Sequence, residues 1–294
     1  MSFERIGFIG LGLMGSAMVE CLQGAGLPLG VVANRSRTAI DAAVARGAVE
    51  YENGRALAQA CDLVMLCVDT SESVESRMRG EDGLITGLQK GAIVVDFGTS
   101  LPGSTRALGQ EVAAAGAQML DAPLGRTPSH AVEGKLNIMS SGDRATFDRV
   151  KPVFDVLGEN VFHLGELGTG HTIKLLNNLF GMTIASATAE AFALCDGLGI
   201  DRKQFYDVVA AGPNHSGMMG FVAEYALNAN PEALAFSLVN ARKDVRYATD
   251  MAAAEGLRSQ TGSATRSLME SAVDQGAGDK MVSTLIDTLG RPGA

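Results

Sequence analysis

The sequence has few of the features that mark secreted, metal-binding or nucleic-acid-binding proteins. It contains four cysteines in 294 residues, Cys21, Cys61, Cys67 and Cys195. None belongs to a C-x-x-C pair or has a histidine at metal-ligand spacing, so we expect buried free thiols in a reducing compartment and no metal site. The net charge is −9. The basic face that a nucleic-acid-binding protein needs is therefore not indicated.

Long hydrophobic runs are also missing. No stretch reaches the roughly 20 unbroken apolar residues of a membrane-spanning helix. Residues 1–5 lead directly into a strand pattern and show no signal-peptide pattern. These absences predict a cytoplasmic protein without a membrane or nucleic-acid partner. Apolar residues still make up 46% of the chain, enough to form a substantial core.

The first half of the chain alternates short apolar runs with helical patterns. Strands are predicted at residues 6–9, 30–33, 63–68, 92–96, 118–121, 136–140 and 160–163. Helices are predicted at residues 16–22, 38–45 and 102–115, the last opened by a proline as is common at a first helical position. This order indicates an α/β domain with a doubly wound, mostly parallel sheet covered by helices on both faces.

The second half changes to helical patterns alone. A helix of about 40 Å is predicted at residues 172–196, followed by helices near 202–211, 218–228, 236–255 and 263–275. We place the domain boundary in the glycine-rich stretch 164–168, which gives an α/β domain at 1–165 and an all-helical domain at 166–294. The long helix between them is too long for its own domain to cover, which predicts a homodimer or a homotetramer.

Residues 10–15 read G-L-G-L-M-G, between a predicted strand and a predicted helix. In dinucleotide-binding loops of this G-x-G-x-x-G pattern the first glycine permits the tight turn, the second lets a pyrophosphate approach the backbone, and the third allows close helix–strand packing. The helix N-terminus offers free N–H groups to the phosphates. The pattern predicts a Rossmann domain that binds a nicotinamide dinucleotide. Its expected contact residues are Gly10, Gly12, Leu13, Met14 and Gly15.

The residues after the second predicted strand indicate which cofactor is preferred. NAD-specific loops usually carry Asp or Glu there, which accepts a hydrogen bond from the ribose 2′-hydroxyl. This chain has Asn34, Arg35 and Ser36 instead. An arginine pairs with a 2′-phosphate that a carboxylate would repel, and the other two side chains can hydrogen-bond it. The sequence favours NADP and leaves NAD as the alternative.

Several further segments follow in a characteristic order. They are GT at residue 98, DAPL at residue 121, GKL at residue 134, GTG at residue 168, KLLNN at residue 174 and KD at residue 243. Together with the glycine-rich loop they resemble the β-hydroxyacid dehydrogenase family, which includes the 3-hydroxyisobutyrate dehydrogenases, over nearly the whole chain. The resemblance implies an NAD(P)-dependent enzyme that interconverts a small anionic β-hydroxy acid and its semialdehyde.

The resemblance also implies roles for individual residues. Lys174 would be the catalytic acid/base, with the catalytic Asn178 one helical turn later, and a spacing of four puts both on one helix face. Asn177 and Lys243 would contact the substrate, and Lys243 also the cofactor. Further cofactor contacts are implied for Cys67, Val68 and Thr99.

A lysine suits this chemistry because hydride transfer at the carbonyl carbon must be accompanied by proton transfer at its oxygen. A free lysine has a pKa of about 10.4, which is too high for efficient exchange near neutrality. Burial and neighbouring cations lower a lysine pKa. If Lys243 and Arg126 converge on Lys174, as the resemblance suggests, both would lower its pKa.

The substrate loop departs from the common family pattern. Where most members continue with Ser-Gly-Gly, this chain has Gly125, Arg126 and Thr127, which resembles the variant of the 3-sulfolactaldehyde reductases. We predict that these residues contact the substrate, because an arginine fork and a hydroxyl suit a multi-oxygen anion. A carboxylate semialdehyde is the first expectation and 3-sulfolactaldehyde the alternative. An imine reductase and a non-catalytic NADP-binding protein are remote alternatives, because Lys174 argues against both.

Overall fold

The computed structural model describes residues 3–33 and 37–289 of the chain. Its contacts divide the chain into two units, Met1–Lys174 and Leu175–Ala294. The first is called the nucleotide-binding unit below and the second the helical unit.

The main sheet of the nucleotide-binding unit is parallel, as the sequence predicts. In the described residues it has six strands in the order β3-β2-β1-β4-β5-β6. The direction of the crossovers therefore changes between β1 and β4, which is where open α/β sheets bind ligands at the carboxyl ends of their strands. The strands are β1 Ile6–Ile9, β2 Leu29–Val32, β3 Val49–Tyr51, β4 Leu63–Leu66, β5 Ile93–Asp96 and β6 Gln118–Asp121.

Alternate side chains of each strand face opposite sides of the sheet, and both sides are apolar here. Ile6 and Phe8 of β1 contribute to one core, and Val64 and Leu66 of β4 contribute to a second. All four are fully buried. Such nearly continuous apolar strands are typical of a parallel sheet that helices cover on both faces.

Eight helices of the nucleotide-binding unit precede the long helix within the described residues. They are α1 Leu13–Gly24, α2 Thr38–Ala45, α3 Gly54–Ala60, α4 Ser71–Met78, α5 Leu84–Gly87, α6 Pro102–Ala114, α7 Pro128–Val132 and α8 Arg144–Leu157. The sequence pattern predicts α1, α2 and α6 but not the other five. The starting signals of α3, α4 and α8 are nevertheless local, because Asn53, Thr70 and Asp143 each accept a hydrogen bond from the backbone N–H three residues ahead.

The predicted strands near residues 136 and 160 do not join the parallel sheet. They belong to a second sheet made of β7 Leu124–Gly125, β8 Leu136–Ser140 and β9 Gly158–His163. In it β7 runs antiparallel to β8, and β8 runs parallel to β9. The apolar pattern alone could not assign these strands to a separate sheet, because it reports burial and not strand neighbours.

The helical unit confirms the predicted change to helices. The long helix α9 begins in the nucleotide-binding unit and, at about 1.5 Å per residue, extends about 45 Å. The helices are α9 Thr169–Leu198, α10 Arg202–Ala210, α11 Gly217–Asn228, α12 Leu238–Ala254 and α13 Gln260–Ala272, with shorter helical turns at Pro231–Leu234, Val273–Ala277 and Val282–Thr288. Among the described helices, none is both long and apolar enough to cross a membrane.

The cysteines are free thiols, as the sequence predicts. Cys61 and Cys195 are buried, and Cys21 and Cys67 are half-buried. Burial raises the pKa of the Cys61 and Cys67 thiols to about 12. At neutral pH both are protonated and poorly nucleophilic.

Candidate functional site

The glycine-rich loop has the shape that the sequence predicts for a phosphate-binding turn. Gly10 has φ +97°, and a Cβ on it would lie 2.3 Å from the Cys67 carbonyl oxygen. A Cβ on Gly15 would lie 1.9 Å from the Gly10 carbonyl oxygen. At Gly12 an added Cβ would meet no described atom within 4 Å. The first and third glycines are therefore required by the fold itself, and the second leaves its space to an approaching group.

The start of α1 fits an anion. Gly12 is the N-cap residue and, within the described part of the chain, no side chain caps this helix. Its first N–H groups therefore remain available to phosphate oxygens, at the end of the helix that carries partial positive charge. Leu13 is 83% exposed beside them, and Met14 packs partly against the core. These residues fit the diphosphate of a dinucleotide cofactor.

Two other predicted cofactor segments lie against this loop. A Cβ on Gly10 would also lie 2.8 Å from Val68 Cγ1, so the Cys67–Val68 segment borders the turn directly. A Cβ on Gly98, which precedes Thr99, would lie 2.9 Å from the Val68 carbonyl oxygen. The structure thus brings the carboxyl ends of β1, β4 and β5 together at one edge.

Asp96 shapes the loop that carries Thr99. Its fully buried carboxylate accepts hydrogen bonds from the Gly98 N–H at 2.8 Å and from the Ser100 hydroxyl at 2.9 Å. Because both partners lie within four residues of Asp96, the carboxylate folds the chain back at the end of β5. No motif in the sequence indicated this role of Asp96.

The residues that indicate the cofactor type, Asn34, Arg35 and Ser36, lie outside the described residues. The neighbouring Arg37 is described and forms ion pairs with Asp41 at 2.8 Å and with Glu50 at 2.6 Å. Its side chain is 59% exposed. Arg37 therefore has surface partners of its own.

The N-terminus of α9 is anchored by Asp121, the last residue of β6. Its fully buried carboxylate accepts the backbone N–H groups of Gly168 and His171, each at 2.7 Å. It also accepts a hydrogen bond from the Ser141 hydroxyl. The oxygen of that hydroxyl in turn accepts a hydrogen bond from the Gly170 N–H at 2.9 Å. Three N–H groups at the start of the helix are thereby satisfied, and a negative charge lies at its positive end.

The glycines of the GTG segment make this anchor possible. Gly168 has φ +93°, a conformation that side chains rarely adopt. A Cβ on Gly170 would lie 2.2 Å from the Met139 carbonyl oxygen and 2.7 Å from an Asp121 carboxylate oxygen. Because there is no room for a side chain at residue 170, the first turn of α9 can approach Asp121 closely.

His171 is a buried polar residue beside this anchor. Its Nδ1 hydrogen-bonds the Thr105 hydroxyl at 2.8 Å. Carboxylate oxygens of Asp96 and Asp121 each lie 3.8 Å from one of its ring nitrogens. The side chain therefore connects α6, the Thr99 loop and the start of α9 in the same buried cluster.

Lys174 follows the anchor directly and is half-buried. Leu175 is buried beside it. Leu176 is 51% exposed, because it lies on another face of α9.

The substrate-loop arginine has an intramolecular partner. Arg126 has φ +77°, and its guanidinium contacts the Glu159 carboxylate at 2.5 Å and donates to the Lys135 carbonyl at 2.8 Å. The Thr127 hydroxyl is bonded to Ser129 at 2.8 Å and to His130 at 2.6 Å. A positive φ is uncommon for a non-glycine residue and costs free energy.

Gly125 lies on β7 beside β8. A Cβ on it would lie 3.2 Å from the Asn137 Cβ. A serine at this position, as in the common loop pattern of the sequence analysis, would therefore press against Asn137.

In the helical unit, Asp244 holds the side chain of Asn178. The Asn178 amide donates to one Asp244 carboxylate oxygen at 2.6 Å, and the Lys243 ammonium lies 2.9 Å from the other. Lys243 also lies 5.5 Å from the centre of the Tyr247 ring. The Lys243 and Asp244 side chains are only 14% and 3% exposed, so this is a buried ion pair and not a surface one. Asn177, next to Asn178, is exposed.

The two cations expected to act on Lys174 are thus both paired with carboxylates. Arg126 is paired with Glu159 in one unit, and Lys243 with Asp244 in the other. The repulsion that either cation can exert is reduced by its partner. No motif in the sequence indicated Glu159 or Asp96. The KD and DAPL motifs contain Asp244 and Asp121, but the motifs did not reveal that these carboxylates hold Asn178 and the start of α9.

Comparison with known proteins gives matches along most of the chain. Residues 5–165 match the family model described as the NAD binding domain of 6-phosphogluconate dehydrogenase. Residues 168–289 match the model described as "NAD-binding of NADP-dependent 3-hydroxyisobutyrate dehydrogenase".

Individual relatives are similar over nearly their full lengths. The chain is 30% identical to 2-hydroxy-3-oxopropionate reductase of Escherichia coli strain K12, covering 97% of each protein. It is 29% identical to 3-sulfolactaldehyde reductase of the same strain, covering 97% of this chain and 95% of the relative. The solved structure of Mycobacterium tuberculosis 3-hydroxyisobutyrate dehydrogenase with L-serine has a TM-score of 0.88 at 26% identity, covering 98% of this chain and 99% of that one.

The different surroundings of Gly12 and Gly15 predict different effects of adding a methyl group. Gly12→Ala should leave the unfolding midpoint in urea unchanged and raise the KM for NADPH about ten-fold or more, because it blocks a charge-assisted phosphate contact. Gly15→Ala should lower the free energy of unfolding by about 1–3 kcal/mol, because its Cβ meets backbone. Equal loss of stability in both variants would contradict this distinction.

The anchor predicts that Asp121→Asn lowers kcat more strongly than it raises the KM for NADPH. The amide cannot accept all of the hydrogen bonds that the carboxylate accepts, so the start of α9 and the lysine one turn later would shift. Loss of one such bond costs about 1.5–3 kcal/mol. Asp143→Ala, which removes the side-chain cap of α8, is the control: it should lower stability in urea by about 0.5–2 kcal/mol without changing kcat. An unchanged kcat in Asp121→Asn would refute the positioning role.

Proposed function

The chain belongs to the β-hydroxyacid dehydrogenase family, and we propose that it interconverts a small anionic β-hydroxy acid and its semialdehyde, with Lys174 as the general acid/base. Enzymes of this family are NAD(P)-dependent oxidoreductases, and the glycine-rich loop of this chain fits such a cofactor. The observation that carries the proposal is the anchored helix α9. Asp121 holds its start, Lys174 follows one turn later, and Asn178 lies one further turn along.

The proposed reaction needs one proton transfer from the protein. The nicotinamide supplies or accepts the hydride when it is bound. In the reducing direction the Lys174 Nζ donates a proton to the aldehyde oxygen as the hydroxyl forms, and in the oxidising direction it removes the hydroxyl proton. Asn178 is oriented by Asp244 and would hold the substrate through the rest of its amide group.

The charged end of the substrate is proposed to contact the loop of Gly125, Arg126 and Thr127. A carboxylate is the first candidate, because the names of relatives such as 2-hydroxy-3-oxopropionate reductase describe carboxylate substrates. A sulfonate is the second, because Arg126 and Thr127 add an arginine fork and a hydroxyl and one relative is a 3-sulfolactaldehyde reductase. Either anion would have to compete with Glu159 for Arg126.

NADP is the proposed preferred cofactor, with NAD as the alternative. The proposal is supported by the sequence of residues 34–36, Asn34, Arg35 and Ser36, which contains no Asp or Glu where NAD-specific loops usually carry one. The family model matched by residues 168–289 also refers to an NADP-dependent enzyme. Lys243 is proposed to contact both cofactor and substrate, as the family resemblance implies.

Initial rates of NADPH oxidation with tartronate semialdehyde and with 3-sulfolactaldehyde test this proposal. Lys174→Ala should lower kcat by roughly 10²–10⁴-fold with whichever substrate is used, the range typical for loss of a general acid/base. Lys151→Ala, which removes an exposed lysine on α8, should have no effect. Faster turnover of the sulfonate would assign the loop to sulfonates, and a fully active Lys174→Ala would refute the mechanism.

A homodimer or homotetramer is proposed as the assembly. Large apolar side chains are exposed near the end of α9 and on α10, an arrangement common at subunit contacts. They are Leu194 at 60%, Leu198 at 73%, Ile200 at 46% and Val208 at 75% exposure.

Light scattering of a Leu194→Asp/Leu198→Asp double variant tests the assembly. We expect a multimer for the unmodified chain and a smaller particle for the variant, because two charges would have to be buried at the contact. Leu257→Asp, at another exposed leucine of the helical unit (66%), should keep the original mass. A monomeric unmodified chain would refute the assembly.

A further inference from the structure

The helical unit contains a cavity of about 250 Å³ beside the KLLNN motif. The cavity is smaller than the roughly 300–1,000 Å³ of pockets that hold whole ligands, so it suits one part of a small substrate. Its lining residues are Asn177, Asn178, Phe180, Gly181, Met182 and Ile184 of α9, together with Ser216 and Met218.

The walls of this cavity are mainly apolar. Phe180, Met182, Ile184 and Met218 contribute hydrocarbon and thioether groups, and no charged residue occurs among the lining residues that the structure describes. The polar groups are partly engaged already. Asn178 donates to Asp244, and the Ser216 hydroxyl accepts the Met219 N–H at 3.1 Å. The cavity therefore offers no counter-charge to a second anionic group.

Gly181 keeps the cavity open. A Cβ at this position would lie 3.1 Å from Met218 Cε, so any side chain would extend into the space or displace the methionine. Glycine within a helix costs about 1 kcal/mol relative to alanine. Gly181 therefore leaves this space open at some expense of helix stability.

The cavity lies on the face of α9 that carries the catalytic motif. Lys174, Asn178 and Gly181 follow one another at spacings of four and three, which places them along one stripe of the helix. A substrate whose oxygen is held near Lys174 and Asn178 would direct a substituent toward Gly181.

We infer that the cavity receives an apolar substituent, larger than a methyl group, of the β-hydroxy acid substrate. The inference rests on the proposed function and adds the class of substrate: an anionic hydroxy acid with a branched alkyl or aromatic group. Such a group removes its own apolar surface and that of the cavity walls from water. A hydroxyl or a second acid group there would lose its hydration without a matching partner.

A series of 3-hydroxypropanoates with hydrogen, methyl, ethyl, isobutyl or benzyl at carbon 2 tests the inference. Rates of NADP⁺ reduction give kcat/KM for each compound. We expect kcat/KM for the isobutyl compound to exceed that for the methyl compound at least ten-fold. Even a single methylene group in a hydrophobic pocket changes kcat/KM by about ten-fold or more. A constant or falling kcat/KM beyond methyl would overturn the inference.

Variants of the cavity test its location. Gly181→Val should reduce the isobutyl-to-methyl ratio of kcat/KM to about one, and Met218→Ala should shift the optimum toward benzyl. Gly197→Val is the matched control, because it places the same side chain on α9 where an added Cβ meets no described atom within 4 Å; its ratio should equal that of the unmodified chain. Ratios within one variant do not depend on the fraction of folded protein. Ratios unchanged in both cavity variants would overturn the inference.

The proposed function and the proposed substrate class can be refuted separately. If no compound of the series, and neither semialdehyde, gives turnover that Lys174→Ala abolishes, the proposed function itself is wrong. If turnover depends on Lys174 but the preference for large substituents is missing, the proposed function stands and the substrate class is wrong.

Discussion

The buried carboxylate of Asp121 is the interaction on which the arrangement of the nucleotide-binding unit depends. It ends the last parallel strand, receives the Ser141 hydroxyl at the end of β8, and accepts two N–H groups from the start of α9. A buried charge without such partners would be costly. The parallel sheet, the second sheet and the long helix therefore have to meet at this residue. Because Lys174 follows within one turn of His171, the same interaction positions the backbone from which the side chain of the proposed proton donor extends.

A second constraint is that two cationic side chains of the candidate site form ion pairs with carboxylates. Arg126 is paired with Glu159, and Lys243 with Asp244. These pairs hold the cations in place before any substrate arrives, and they limit how strongly a cation can act on its neighbours. A substrate anion that binds either cation would therefore have to replace the carboxylate already paired with it. Selectivity among substrate anions then depends on these carboxylates as well as on the cations.

Much of the fold could be predicted from local sequence. The apolar runs at β1, β4 and β5 and the glycine spacing after residue 9 indicated the parallel sheet and the tight turn at its edge correctly, because burial and close backbone approach limit which residues fit at each position. The second sheet was not separated from the first. Alternation of apolar and polar residues records which side of a strand is buried, but strand neighbours depend on contacts such as that between Leu124 and Ile138.

The candidate site divides in the same way. The sequence by itself determined the positions of the glycines and of Lys174 and Asn178, since turn geometry and helical spacing involve only nearby residues. The tertiary structure alone decided that Asp121 caps a helix 47 residues later and that Asn178 is held by Asp244, 66 residues away. Such pairs depend on which elements pack together, and a single sequence contains no direct record of contacts between residues so far apart.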